Sequence, residues 1–132
     1  MDGEKDLEKL LQTLTPRLHN DLYVFCQITG GRYGDYTEAN PIASFMEPEG
    51  LTLVVKKSMA DELNLPYDGL FSYISLDVHS SLEAVGLTAA VSTRLSEHGI
   101  SANIIAAYSH DHLFVPADKG DEALRLLLKF CC

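Results

Sequence analysis

Residues 81–115 read SLEAVGLTAAVSTRLSEHGISANIIAAYSHDHLFV. Ser80, just before this stretch, and Glu83 inside it have the S-x-x-E spacing of a capping box, which predicts a helix starting at Ser81. Ala84, Leu87, Val91 and Leu95 recur along one side of it as an apolar stripe. His98 falls at the helix C-terminus, where the dipole favours positive charge. Gly99 fits the left-handed C′ position, and Ile100 supplies the hydrophobic contact that follows it. SANIIAAY and HLFVP then read as two strands, with Ser109-His110-Asp111 turning between them. Asp118 is placed to cap a last helix whose stripe includes Ala123, Leu124, Leu127 and Leu128. GLFSYISLDVH, about residues 70–78, reads as a strand ahead of all this. The second half therefore runs strand, helix, strand, strand, helix.

The first half echoes part of that order. Leu7, Leu10, Leu11 and Leu14 have helical spacing over residues 4–14, and Thr15-Pro16 ends the helix. DLYVFCQIT, residues 21–29, is a strand by its aromatic and β-branched content. GGRYGD breaks it, and a loop runs to Pro41; its glycines are those of an ordinary turn, since no helix follows them. IASFMEPEGLTLVV is a hairpin of strands 42–47 and 51–56. Ser58 is placed to cap a short helix through Leu63, which Leu65-Pro66 stops. Ile42-Ala43-Ser44-Phe45 lines up with Ile105-Ala106-Ala107-Tyr108, and a polar turn and a second strand follow in both, as in a diverged tandem repeat.

Composition narrows the functional classes. With 132 residues, 46% of them hydrophobic and 22% charged, the chain is one ordinary domain or two small repeats with a core. No apolar run approaches the ~20 residues that span a bilayer. The acidic, amphipathic start MDGEKDLEKLLQTL is unlike a signal peptide, so the expectation is a cytoplasmic protein with no membrane partner. Ten basic residues face nineteen acidic ones, for a net charge of -9, and the basic residues are scattered, which argues against nucleic acid. Cys26, Cys131 and Cys132 form no disulfide framework and no CxxC motif, and Cys26 reads as a buried thiol.

The turn VHSSLEAVGL, the helix end LSEHGIS and the hairpin around SHDH together resemble an ACT domain, a ferredoxin-like βαββαβ module that often binds amino acids and regulates metabolic enzymes. Over nearly its whole length the chain is similar to small stand-alone tandem-ACT proteins. That resemblance implies an α+β fold of two ferredoxin-like repeats, residues 1–66 and 67–132, with antiparallel sheets and helices on one face. Two departures stand out: no helix is expected between strands 21–29 and 42–47, and the second half has no closing strand after its last helix. An early strand is expected to fill that missing edge.

The resemblance also implies a ligand between the first strand–helix turn and a facing strand or module, with Ser81, Glu83, Val85, Gly86, Tyr108, His110 and Asp111 as the binding residues. The chemistry suits an amino acid. Free N–H groups at Ser81-Leu82-Glu83 would meet a carboxylate, and Asp111 would pair with an amine or guanidinium. Gly86 would admit a ligand or backbone near the first helical turns. Each also has a plainer role: Ser80 as N-cap, Glu83 as capping-box partner, Gly86 as a helix-packing residue.

The histidines raise the question of metal. His110 and His112 would share a face of a strand, with His79 as a third ligand, but no HExxH, CxxC or His-x-x-Glu framework accompanies them, and a turn at His110 splits the pair. Nucleophilic catalysis lacks a G-x-S-x-G elbow around Ser80 and Ser81, and no Walker A or GxGxxG motif offers a cofactor. The expectation is a non-catalytic regulatory protein that binds a small molecule, with no cofactor or metal, acting as a homodimer or on a partner enzyme. The alternative is a ligand-free interaction module.

Overall fold

The computed structural model describes residues 6–77 and 86–130. The chain opens with α1, Leu7–Gln12, whose N-cap Asp6 accepts from the backbone N–H of Glu8 at 3.0 Å. Leu10 and Leu14 are buried and Leu7 and Leu11 partly so, as the apolar spacing predicts. The strand β1 then runs Pro16–Ile28, beginning five residues before the expected start at Asp21. Its first part, Arg17-Leu18-His19-Asn20, carries no β-branched residue, but Pro16 is tolerated as the first residue of a strand. A 3-10 turn, Thr37–Ala39, precedes β2 (Ala43–Glu47), β3 (Gly50–Lys56) and α2 (Lys57–Glu62). After these come β4 (Phe71–Leu76), α3 (Leu87–Ser96), β5 (Asn103–Ala106), β6 (Asp111–Pro116), a 3-10 turn at Ala117–Lys119 and α4 (Gly120–Leu128).

These elements form two compact units, residues 21–71 and residues 1–20 with 72–132, and β1 contributes to both. In the 21–71 unit the strand order is β2-β3-β1. Both pairings are antiparallel, with Cys26 opposite Leu53, and Ser44 also opposite Leu53. Side chains alternate across a strand, so Val24 and Cys26 on β1 and Leu51, Leu53 and Val55 on β3 share one face. They are buried together with Ala60 of α2, Ala39 of the 3-10 turn and Leu65.

In the other unit the order is β1-β4-β6-β5. That is the ferredoxin-like order for a β-α-β-β-α sequence starting at β4, with the fourth place taken by the start of β1, so an early strand does fill the edge. Ile74, Leu76, Leu113 and Val115 share one sheet face and are buried against Leu10, Leu87, Val91, Leu95, Ala123 and Leu127, so α1, α3 and α4 all cover that side. β5 and β6 pair antiparallel, Asn103 opposite Phe114 and Ala106 opposite Asp111. The α+β architecture with antiparallel ladders is as expected. Among the described residues no helix is long and apolar enough to cross a membrane.

Helix ends account for most of the local differences. The expected helix start at Ser81 lies outside the described residues. The described helix α3 starts at Leu87, because Gly86 takes φ 99, a left-handed conformation that a helix cannot run through. Its C-terminus is as expected: Ile100 N–H donates to Leu95 C=O and Gly99 N–H to Ser96 C=O, both at 3.0 Å, with Gly99 at φ 73 and Ile100 buried. Asn64, at φ 56, ends α2 the same way, with Leu65 N–H reaching Ala60 C=O at 2.8 Å. Ser58 is not a cap. β3 runs straight into α2 through Lys56, and Lys57 pairs with Asp61 at 2.7 Å along the helix. Asp118 lies in the 3-10 turn and caps nothing; α4 buries Ala123, Leu126 and Leu127 and leaves Leu128 exposed.

Candidate functional site

The β5–β6 hairpin turns through residues 107–110, closed by Ala107 N–H donating to His110 C=O at 3.1 Å. Tyr108 and His110 lie in this turn, exposed to solvent. Asp111 does not. It belongs to β6, opposite Ala106, and is only 7% exposed. Asp111 therefore departs from the expected hairpin tip: the turn closes one residue earlier than the sequence implied. Strand alternation puts Asp111 on the side of Leu113 and Val115, and His112 on the other side with Phe114. Burial pushes the Asp111 carboxyl above the usual carboxylate range, against the pull of His112 and His110.

His112 belongs to a cross-strand row. Its Nδ1 shares a hydrogen bond with the Tyr73 hydroxyl at 2.6 Å. The Tyr73 ring stacks on His19 with ring centres 4.1 Å apart and on Phe114 at 5.0 Å. His19 Nε2 shares a hydrogen bond with Ser75 Oγ at 3.0 Å. Burial, followed by the proximity of His110, holds His112 below the ordinary histidine range; Asp111 and Asp77 pull the other way. With His110 in the turn and His112 in the strand, the two histidines do not form a chelating pair. Among the described residues no group of three or more His, Cys, Asp and Glu is placed to hold a metal ion. His79 lies outside the described residues.

Ser81, Glu83 and Val85 also lie outside the described residues. Gly86 is described, and its conformation rather than helix packing explains it: besides the left-handed φ, a Cβ there would stand 3.1 Å from Leu7 Cδ2. Gly86 borders a groove of about 450 Å³ with Leu7, Ala90, Arg94 and Phe130. The Arg94 guanidinium lies 4.0 Å from the Phe130 ring centre and donates to Leu126 C=O at 3.0 Å, which ties α3 to α4. Tyr108, His110 and Asp111 do not line this groove.

A second cavity, of about 400 Å³, lies in the 21–71 unit. Its floor is Leu51 and Leu53 of β3 with Ser44 of β2, and Tyr33, Asp35 and Thr37 close over it from the loop between β1 and β2. The sequence offered the glycines of GGRYGD as an ordinary turn and missed this wall. The signal that was there is the Arg32–Asp35 spacing: Asp35 Oδ2 accepts from Arg32 N–H at 2.8 Å and Asp35 N–H donates to Arg32 C=O at 2.9 Å, a closed turn that fixes the carboxylate.

Two ACT-domain family models match this sequence, one over residues 2–72 and the other over residues 71–129. The chain belongs to the ACT-domain family. The second ACT match covers α3, the β5–β6 hairpin and α4; the first covers α1 to the start of β4. This tandem ACT protein is 52% identical to a Vibrio cholerae protein of unknown function, described as a possible transport protein; the structures align with a TM-score of 0.87 over 97% of this chain and 98% of that one. An Agrobacterium tumefaciens protein aligns at 16% identity and a TM-score of 0.73, over 89% of each chain. The regulatory subunit of aspartate kinase from Thermus thermophilus, in its ligand-free form, aligns at 14% identity and a TM-score of 0.66, over 90% of this chain and 97% of that one. At these last two identities the likeness is one of fold. No curated protein matches the sequence.

Proposed function

We propose that this ACT-domain protein is a non-catalytic, cytoplasmic regulatory protein whose ligand is an amino acid. The binding residues in this reading are Ser81, Glu83, Val85 and Gly86 on one side and Tyr108, His110 and Asp111 on the other, within a second repeat of residues 67–132 that follows a first of 1–66. The observation that carries it is Asp111: a carboxylate 7% exposed at the start of β6, next to an exposed turn, inside the segment matched by an ACT-domain model. A carboxylate withdrawn from water costs free energy unless something positive meets it, and an amino acid's ammonium supplies that charge. The aspartate kinase regulatory subunit of the same fold supports a regulatory role. Signalling to an enzyme would then pass through a homodimer or a partner subunit, for which the edge strand β2, paired only with β3 among the described residues, offers free backbone groups.

The test is isothermal titration of the full chain against the twenty amino acids, repeated with Asp111→Asn. A saturable heat from one chemical class, weakened roughly tenfold by the neutral side chain, is the expected result. No heat from any amino acid at millimolar concentration would remove the reading.

A further inference from the structure

We infer that the cavity under the 29–42 loop is a separate small-molecule site, built for an organic cation with a short apolar body. Its position is one where a ferredoxin-like unit would carry its first helix; here, among the described residues of that loop, only the 3-10 turn Thr37–Ala39 is helical. The buried apolar face of β3 is roofed by irregular backbone instead, and about 400 Å³ remains open between them. That lies at the lower end of the ~300–1,000 Å³ that small-molecule sites occupy.

The lining decides the ligand's charge. Asp35 is the one acidic residue on the wall, and no Lys, Arg or His lines it. An anion would meet a carboxylate with nothing to offset it, so the glycine-rich loop does not serve phosphate here. A cation would meet Asp35 at one end and Ile42 and Pro41 along its length, above the buried Leu51 and Leu53. The Arg32 N–H holds one oxygen of Asp35 at 2.8 Å, and a carboxylate has further acceptor positions to offer. Tyr33, 83% exposed at the rim, presents an aromatic face of the kind that attracts ammonium groups.

The loop is also held in a fixed shape. Tyr36 and Asn40, on either side of the 3-10 turn, take φ 62 and φ 54, left-handed values that a bulky residue such as Tyr rarely adopts. Tyr36 packs against the core of this unit, which keeps it there. A wall set in advance loses little freedom when a ligand arrives. The proposal does not depend on the site at Asp111.

Amide spectra of the ¹⁵N-labelled full chain, titrated with 2-phenylethylamine and with 3-phenylpropionate as its anionic counterpart, test it. The amine should shift residues 33–37 and 42–44 saturably, and the carboxylate should bind there at least roughly tenfold more weakly. Asp35→Asn, which keeps an acceptor for Arg32 N–H, should weaken the amine about tenfold, and Ser44→Phe should block it by bulk while leaving the charge in place. Equal response to the two probes, shifts centred elsewhere, or indifference to both cavity variants would overturn the assignment.

Discussion

The Tyr73 hydroxyl and His112 Nδ1 stand 2.6 Å apart and join the neighbouring strands β4 and β6. Because burial holds the His112 pKa below its ordinary value of 6.5, the unfolded chain takes up this proton at a higher pH than the folded chain. The stability tied to the neutral ring is then complete above about pH 6.5 and falls as pH drops from there toward the folded pKa. Urea midpoints measured from pH 7.5 to 5.5 should decline more steeply for the native protein than for His112→Gln. Tyr73→Phe should cost about 0.5–1.5 kcal/mol at pH 7.5 through the lost hydrogen bond.

Asp111 has the opposite sign. Its carboxyl pKa is raised from 3.8, chiefly by burial, so the folded chain holds this proton to higher pH than the unfolded one. Its unfavourable effect is absent below the unfolded value and grows as pH rises through the folded one. Asp111→Asn should therefore match or exceed the native protein's stability at pH 7 while binding ligand more weakly. A thermal melt run beside the titration separates the two effects.

Gly86→Ala should destabilise by about 1–3 kcal/mol, because a side chain at φ 99 is strained whatever the space around it. Leu7→Ala gives the added methyl room but leaves the strain. The double variant should therefore show a Gly86→Ala cost no smaller than roughly that range, by denaturant melts.

The edge strand β2 exposes Phe45 at 72% and Met46 at 50%. Pairing between copies along this strand predicts a homodimer in light scattering. Phe45→Lys, a charge at an edge position, should shift the population to monomer and make the melting temperature independent of protein concentration.

Leu95, fully buried in the core of the larger unit, should cost about 2–5 kcal/mol on truncation to Ala. Native-state hydrogen exchange should show the loss across α3 and β6.

Regular elements were legible in the sequence where pattern and local chemistry agree. The hairpins, the Gly99-Ile100 helix end and the apolar stripe of Leu87, Val91 and Leu95 all follow from spacing and from one glycine. Capping motifs misled where tertiary geometry supplies the start instead: Ser58 and Asp118 have the right chemistry, yet β3 leads directly into α2, and a 3-10 turn into α4. The start of β1 was hidden because residues 17–20 owe their strand conformation to β4, through contacts such as His19 with Ser75 and Thr15 C=O with Asp77 N–H. The position of Asp111 hinged on a one-residue difference in turn length. In a strand such a difference sends a side chain to the other face, and composition does not encode it. The Asp35 cavity was illegible for another reason: its floor comes from β2 and β3, and only folding brings them under the loop.

His19 and Ser75 meet across 56 residues of chain. During synthesis the first part of β1 leaves the ribosome well before β4 exists, so the strand that closes the larger unit waits for its neighbour. Closing so long a loop is entropically costly and makes this ladder a late step in folding. A nascent chain stalled before residue 70 would expose a strand edge that the finished protein hides, which makes that interval the one in which a chaperone would have most to hold.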